Sequence, residues 1–319
     1  MLRALVPRLL SSVAVFLLIA VGLFALTRLA PGDPIEMMVP PELAGAQRDA
    51  YIASVRERFG LDQPVVVQFW HWLGGLMTGD LGYSYNGGRP VGELLADRLG
   101  PTALLMGSAM TIGLIVAIPA GVIAAVRRNT VADYTISSVS VVAIAVPSFF
   151  LGMLAIYVFA VQLGWLPSSG MYSSGRDDIG DLLRHMVMPV GLLALANAAN
   201  FIRYVRSGVL EELNKDYVRT IIAKGGTQAR ALRHALRNSL MSLVTVLAMT
   251  IPVALSGAVV LEQIFSWPGM GQLAIDALGQ RDYPVLIGFG LYIAVLVLIC
   301  NLIADLSYTI IDPRVRKAR

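Results

Sequence analysis

At 319 residues, 56% hydrophobic and only 14% charged, the chain holds roughly half the charge of an ordinary globular protein. That excludes a water-soluble domain with a polar surface, and a single cysteine, Cys300, excludes an intramolecular disulfide or a Cys-based metal site. The formal charge of +4 acquires meaning only from its placement.

Six apolar windows, at about 9–29, 99–126, 134–163, 185–203, 238–261 and 285–306, approach or exceed the roughly 20 residues that a bilayer-spanning helix needs. The predicted fold is all-α: one polytopic membrane domain over 1–319 with six transmembrane helices, an outside extension at 30–98 and a cytoplasmic loop at 204–237. If the six spans alternate, 16 of the 25 Lys/Arg fall on one side, which the positive-inside rule makes cytoplasmic. Both termini are then inside. Membrane lipid is an obligatory partner, and nothing points to nucleic acid.

In chain order, Arg3 and Arg8 precede a first apolar run longer than a signal-peptide core, with no clear cleavage site before Pro31, so an uncleaved first span is expected. Pro31-Gly-Asp-Pro34 and Pro40-Pro41 break structure. A surface helix is expected over 44–59, ending at Gly60, and 65–76, with Phe69, Trp70 and Trp72, reads as a helix at the membrane surface. Pro147 should kink the third span by removing one backbone hydrogen bond, and Gly164-Trp-Leu-Pro167 ends it. Residues 168–184, with Arg176, Asp177, Asp178 and Asp181, read as a solvated outside loop.

In the fourth span, Asn197 and Asn200 are three apart and share a helix face among Leu and Ala. Carboxamides cannot face lipid cheaply, so both should turn inward, as an interhelical hydrogen bond or as lining of a transport path. Ser256, just past Pro252, is a further path candidate. Gly269-Met-Gly-Gln-Leu-Ala274 fits a dinucleotide-binding pattern on paper, but it lacks the βαβ context and reads as a loop with glycine turns. Asp305 closes the sixth span within reach of water or Arg314.

One charged segment, 203–240, lies between apolar runs and carries eight of the chain's Lys/Arg. Its spacing predicts a short helix with Asp216 as N-cap, Tyr217, Val218, Ile221 and Ile222 on one side, and Lys224 before Gly225-Gly226 as the stop. Thr227 can cap a second helix, whose Ala231, Leu232, Ala235 and Leu236 form an apolar stripe opposite Arg230, Arg233, His234 and Arg237.

The run Asp216-Tyr-Val-Arg-Thr-Ile-Ile-Ala-Lys-Gly225, followed by Arg233-His-Ala-Leu-Arg-Asn238, resembles the cytoplasmic loop of permease subunits in ABC importers of the dipeptide/oligopeptide/nickel family. Arg28-Leu-Ala-Pro-Gly-Asp-Pro34, Phe59-Gly-Leu-Asp-Gln-Pro64, Gly79-Asp-Leu-Gly-Tyr-Ser84, Arg89-Pro-Val-Gly-Glu-Leu and Asp312-Pro-Arg314 extend the resemblance to the B-type subunit over nearly the whole chain. The sequence departs from the family pattern at Ile221-Ile222 and Gly226. The resemblance implies that Asp216, Tyr217, Val218, Arg219, Thr220, Ala223, Lys224 and Gly225 form a coupling helix that docks on a separate ATP-hydrolysing subunit. It further implies a second, similar permease, two ATP-binding cassette subunits, an external substrate-binding protein touching the region of Trp267, Arg281 and Asp282, a peptide substrate, and a bacterial or archaeal inner membrane.

A phosphate-binding Gly-x-x-x-x-Gly-Lys-[Ser/Thr] motif is absent, so the chain is read as a transport subunit with no cofactor of its own, ATP and Mg being held by partners. A stand-alone secondary transporter or channel remains the alternative of another class, and an intramembrane hydrolase lacks a convergent nucleophile and base. Glutathione-like and nickel-chelate substrates suit the same scaffold.

Overall fold

The computed structural model describes residues 2–29, 35, 39–40, 42–58 and 60–311. Their helices, in order, are α1 (Leu2–Leu29), α2 (Ala46–Arg58), α3 (Val65–Met77), α4 (Val91–Val126), α5 (Val131–Ala145), α6 (Ser148–Ala155, continued as π-helix over Ile156–Gln162), α7 (Ile179–Leu213), α8 (Asp216–Ala223), α9 (Gln228–Leu255), α10 (Val259–Ile264), α11 (Met270–Gly279) and α12 (Tyr283–Ile311). Extended pairing among the described residues is confined to one antiparallel bridge, Tyr83 with Pro90. The protein is an all-α membrane protein. Three of these helices, Val91–Val126, Ile179–Leu213 and Tyr283–Leu302, are long and apolar enough to cross a membrane, and a fourth span results if α5 and α6 count as one. The expected breaks at Pro31-Gly-Asp-Pro34 and Pro41, the Asp312-Pro-Arg314 phrase and the reach of Asp305 lie outside the described residues and side chains.

Two expected spans are broken. The third bends by 91° between α5 and α6. Pro147 takes an extended backbone as the N-cap of α6, and Val146 before it has φ −81 and ψ 126, so the helix stops where a kink was expected. The fifth stops at Leu255: Gly257 has φ +93, a left-handed conformation that ends α9 and lets the chain restart as α10.

The chain groups into two compact units, Met1–Gly100 with Leu273–Leu298 and Pro101–Gln272 with Ile299–Arg319. Helices α4, α11 and α12 run through the junctions, so no linker marks them. In the first unit, α3 rests on α1 through aromatic rings: Phe24 meets Phe69 edge-on at 5.3 Å and Trp72 at 5.5 Å between ring centroids. Trp70 points away and is exposed.

In the second unit, α7 is central and packs against α5, α6 and α9. Ala117, Ala125, Ala198, Phe201, Ile202, Val205, Val209 and Leu243 form one buried cluster that joins α4, α7 and α9. Glycine makes the approach of α4 to α7 possible: a Cβ on Gly113 would lie 2.9 Å from that of Asn197, and one on Gly121 would lie 2.7 Å from that of Val205. Such small-residue contacts let helix backbones pack closely where lipid offers no hydrophobic drive between spans.

Candidate functional site

Helix α8 is where the sequence places it, with one correction. Lys215, in extended conformation, is the N-cap, and Asp216 is the first helical residue rather than the cap. An acid in the first turn still suits the positive end of the helix dipole. Lys224 is the C-cap and Gly225 follows with φ +80, the left-handed residue that terminates the helix. Thr227 Oγ1 accepts from Arg230 N at 3.3 Å at the start of α9, as its position predicts.

The expected coupling residues divide between two faces. Val218 is buried against the body of the unit, and the Tyr217 hydroxyl donates to Glu212 Oε2 at 2.7 Å. Asp216 and Arg219 point outward, with side chains 99% and 81% exposed, and Thr220, Ala223 and Lys224 are exposed beside them. Ile222, at 49% exposure, adds an apolar side chain to this outer surface. It is small, mixed in charge and apolar at one edge, a composition suited to a protein cleft.

Two polar ties that the sequence did not reveal fix this end of the bundle. Glu212, near the end of α7, accepts from Tyr217, from Asn238 Nδ2 of α9 at 3.2 Å, and from Lys215. Earlier on α7, Arg206 pairs bidentately with Asp133 in the first turn of α5. Asp133 is buried and also accepts from Asn129 N at 3.0 Å.

The path candidates are separated by the structure. Asn197 is half-buried and faces Gly113 of α4. Asn200 is exposed, and its amide donates to the Ala196 carbonyl of its own helix at 3.1 Å. Ser256 sits in the break after α9 and is half-buried.

Of the three residues expected to meet an external receptor, only Arg281 is exposed, with φ +52. Trp267 is fully buried, its indole Nε1 donating to the Pro101 carbonyl at 3.0 Å. Asp282 is buried in the first unit, where it accepts from the Ser84 hydroxyl and from Tyr85 N at 3.2 Å. Both side chains therefore shape their loops from within rather than offer surface.

Two further expectations are corrected. Residues 269–274 are not a loop: α11 starts at Met270, and its N-terminus sits on the carboxylate of fully buried Glu262. Glu262 Oε2 accepts from Gly271 N at 2.7 Å and Gln272 N at 3.2 Å, and its Oε1 accepts from Thr102 Oγ1 at 2.9 Å. The glycines are needed for proximity, since a Cβ on Gly269 would lie 2.4 Å from the Glu262 carboxylate. Nor is 168–184 wholly a solvated loop. Helix α7 begins at Ile179, and buried Asp181 accepts from Ser173 N at 2.6 Å and from its hydroxyl at 2.9 Å.

Comparison with known proteins agrees with this architecture. A Brucella ovis protein named as a peptide permease is 42% identical over 319 residues, covering 99% of each chain. The oligopeptide transport system permease protein AppB of Bacillus subtilis is 41% identical, covering 97% of this chain and 98% of its own. The glutathione transport system permease protein GsiC of Escherichia coli is 37% identical, covering 99% of each. Among solved structures, a chain of the MetNI methionine ABC transporter in an inward-facing conformation superposes with a TM-score of 0.52 over 66% of this chain and 93% of that one; at 18% identity it speaks for the fold alone. Residues 1–107 match the N-terminal component of binding-protein-dependent transport system membrane proteins, and residues 117–317 match their inner membrane component. The chain belongs to the family of binding-protein-dependent transport system inner membrane components.

Proposed function

We infer that this chain is the membrane-spanning permease subunit of an ABC importer for peptides, and we propose that α8 is its coupling helix. In this reading six spans alternate across the inner membrane with both termini cytoplasmic, as the placement of 16 of 25 Lys/Arg favours. A second permease completes the path, two ATP-binding cassette subunits hold ATP and Mg, and an external binding protein delivers peptide. Closure of the ATPase pair displaces α8, and α7 and α9 carry the displacement into the bundle. Alternating access at the path follows.

The observation that carries this reading is the outer face of α8. Asp216, Arg219 and Ile222 are exposed on a helix of eight residues held between α7 and α9, the two helices that would have to move. Asn197, Asn200 and Ser256 are proposed at or near the path, and exposed Arg281 at the receptor contact. The 41% identity to an oligopeptide permease supports a peptide cargo. Purification in mild detergent followed by mass spectrometry tests the assembly: ATP-binding cassette chains and a second permease should co-purify, and a lone chain that transports peptide in vesicles would refute it.

A further inference from the structure

We propose that Glu212 is a positioning residue for energy coupling: its single carboxylate locks α8 to both flanking helices, so that movement of α8 is delivered to α7 and α9 together. The inference rests on the assignment of α8 as the coupling helix.

Eight residues, about 12 Å of helix, are too few to hold themselves in water, so α8 owes its orientation to anchors outside it. Val218 is its one buried side chain. One fully buried apolar side chain, with Ile221 half-buried beside it, fixes position but leaves rotation about the helix axis weakly determined. The second anchor is polar. Glu212 has a side chain only 12% exposed and receives the Tyr217 hydroxyl of α8 at 2.7 Å and the Asn238 amide of α9 at 3.2 Å on the same oxygen, Oε2. Lys215, between the two helices, donates to the other oxygen, and Glu211 lies 3.5 Å from that ammonium. Three helices thus converge on one carboxylate at the end of the second unit's central helix.

The electrostatics fit a fixed ion. Burial alone would raise the Glu212 carboxyl, but the bonds from Lys215, Tyr217 and Asn238 outweigh it and hold it below the usual range. Tyr217, by contrast, is pushed up by burial first and by the neighbouring carboxylate second, so it remains a donor. Charge-assisted bonds of this kind are directional and stronger than neutral ones. They therefore resist the twist that apolar contact alone would allow. Tyr217 faces Glu212 and not the outer surface, so its expected role in docking becomes one of holding the helix that docks.

The experiment uses the whole complex in proteoliposomes with its binding protein, and measures peptide imported per ATP hydrolysed for Glu212→Ala, Tyr217→Phe and the double variant. Loss of one such bond should lower that ratio by about fivefold, and the double variant should fall no further than Glu212→Ala alone. An unchanged ratio, or a loss of import in strict proportion to folded complex, overturns the proposal. Should Glu212→Ala not assemble, Tyr217→Phe, which removes one oxygen, decides by the same ratio. Arg219→Cys, cross-linked to an ATPase subunit in a complex that keeps Glu212 and Tyr217, separates the two claims. No adduct there removes the coupling-helix assignment itself, whereas an adduct with an unchanged ratio removes only the role of Glu212.

Discussion

Arg206 grips Asp133 through two parallel hydrogen bonds, Nε to Oδ1 at 2.6 Å and Nη2 to Oδ2 at 2.8 Å, and so ties the last third of α7 to the first turn of α5. Asp133 and Arg206 lie just outside the expected spans at 134–163 and 185–203. Helix α7 therefore holds α8 and α9 at one point and the start of the broken third span at another.

Arg206→Leu should leave Asp133 buried and uncompensated and destabilise the complex by about 3 kcal/mol, read as a lower unfolding temperature in detergent. Exchanging the two residues should not rescue it, because an arginine at 133 cannot accept from Asn129 N.

The pair also sets a pH response. Chiefly through the Arg206 hydrogen bonds, and against burial, the Asp133 carboxyl is held down at about 2 from its ordinary 3.8. A carboxyl lowered on folding contributes its stability fully above the ordinary value and loses it as pH falls through the lowered one. Unfolding temperature should thus be insensitive to this pair between about pH 5 and 8. In Arg206→Leu the sign reverses: burial then raises the unpaired carboxyl above its ordinary 3.8 and protonation relieves it, while the unaltered protein loses its own contribution below that value, so the gap between them should narrow steadily as pH falls from neutral. A gap that widens on acidification would refute the pairing.

Gly225 has open space around its α-carbon but φ +80, so substitution there acts through the backbone and not through collision. Gly225→Val should cost about 1–2 kcal/mol and reduce both import and receptor-stimulated ATP hydrolysis, while the binding protein retains its ligand. Gly225→Asn, which tolerates this conformation better, should retain more activity. Equal loss in both variants would point to contact, not conformation.

Much of the α8 region was legible in sequence. Lys224-Gly225 marks its end and Thr227 the next start, because caps act within a few residues of themselves. The polar ties were not legible. Glu212 and Asn238 are 26 residues apart, Asp133 and Arg206 are 73 apart and Thr102 and Glu262 are 160 apart, so nothing local announces them. Asp181 reads as a solvated acid because its burial depends on how the preceding loop folds the Ser173 amide and hydroxyl onto it. Pro147 was visible, but a proline signals only a lost hydrogen bond and cannot distinguish a kink from the 91° turn that follows.

The two asparagines should now behave differently. Asn197→Leu enlarges a side chain whose Cβ already abuts Gly113, and should lower yield and thermal stability for every substrate alike. Asn200→Leu alters an exposed, self-bonded amide and should leave yield intact while changing transport unequally among peptides. Equal effects on yield would remove Asn200 from the proposed path.

The central claim is that the outer face of α8 meets an ATPase subunit in the cytoplasm. In a chain with Cys300→Ser, a cysteine in place of Arg219 should be inaccessible to a membrane-impermeant thiol reagent in intact cells, and should form a covalent adduct with the ATP-binding cassette subunit when a short bifunctional cross-linker is added to inside-out vesicles. Labelling of that cysteine from outside the cell, or its cross-linking to the external binding protein, would contradict the account.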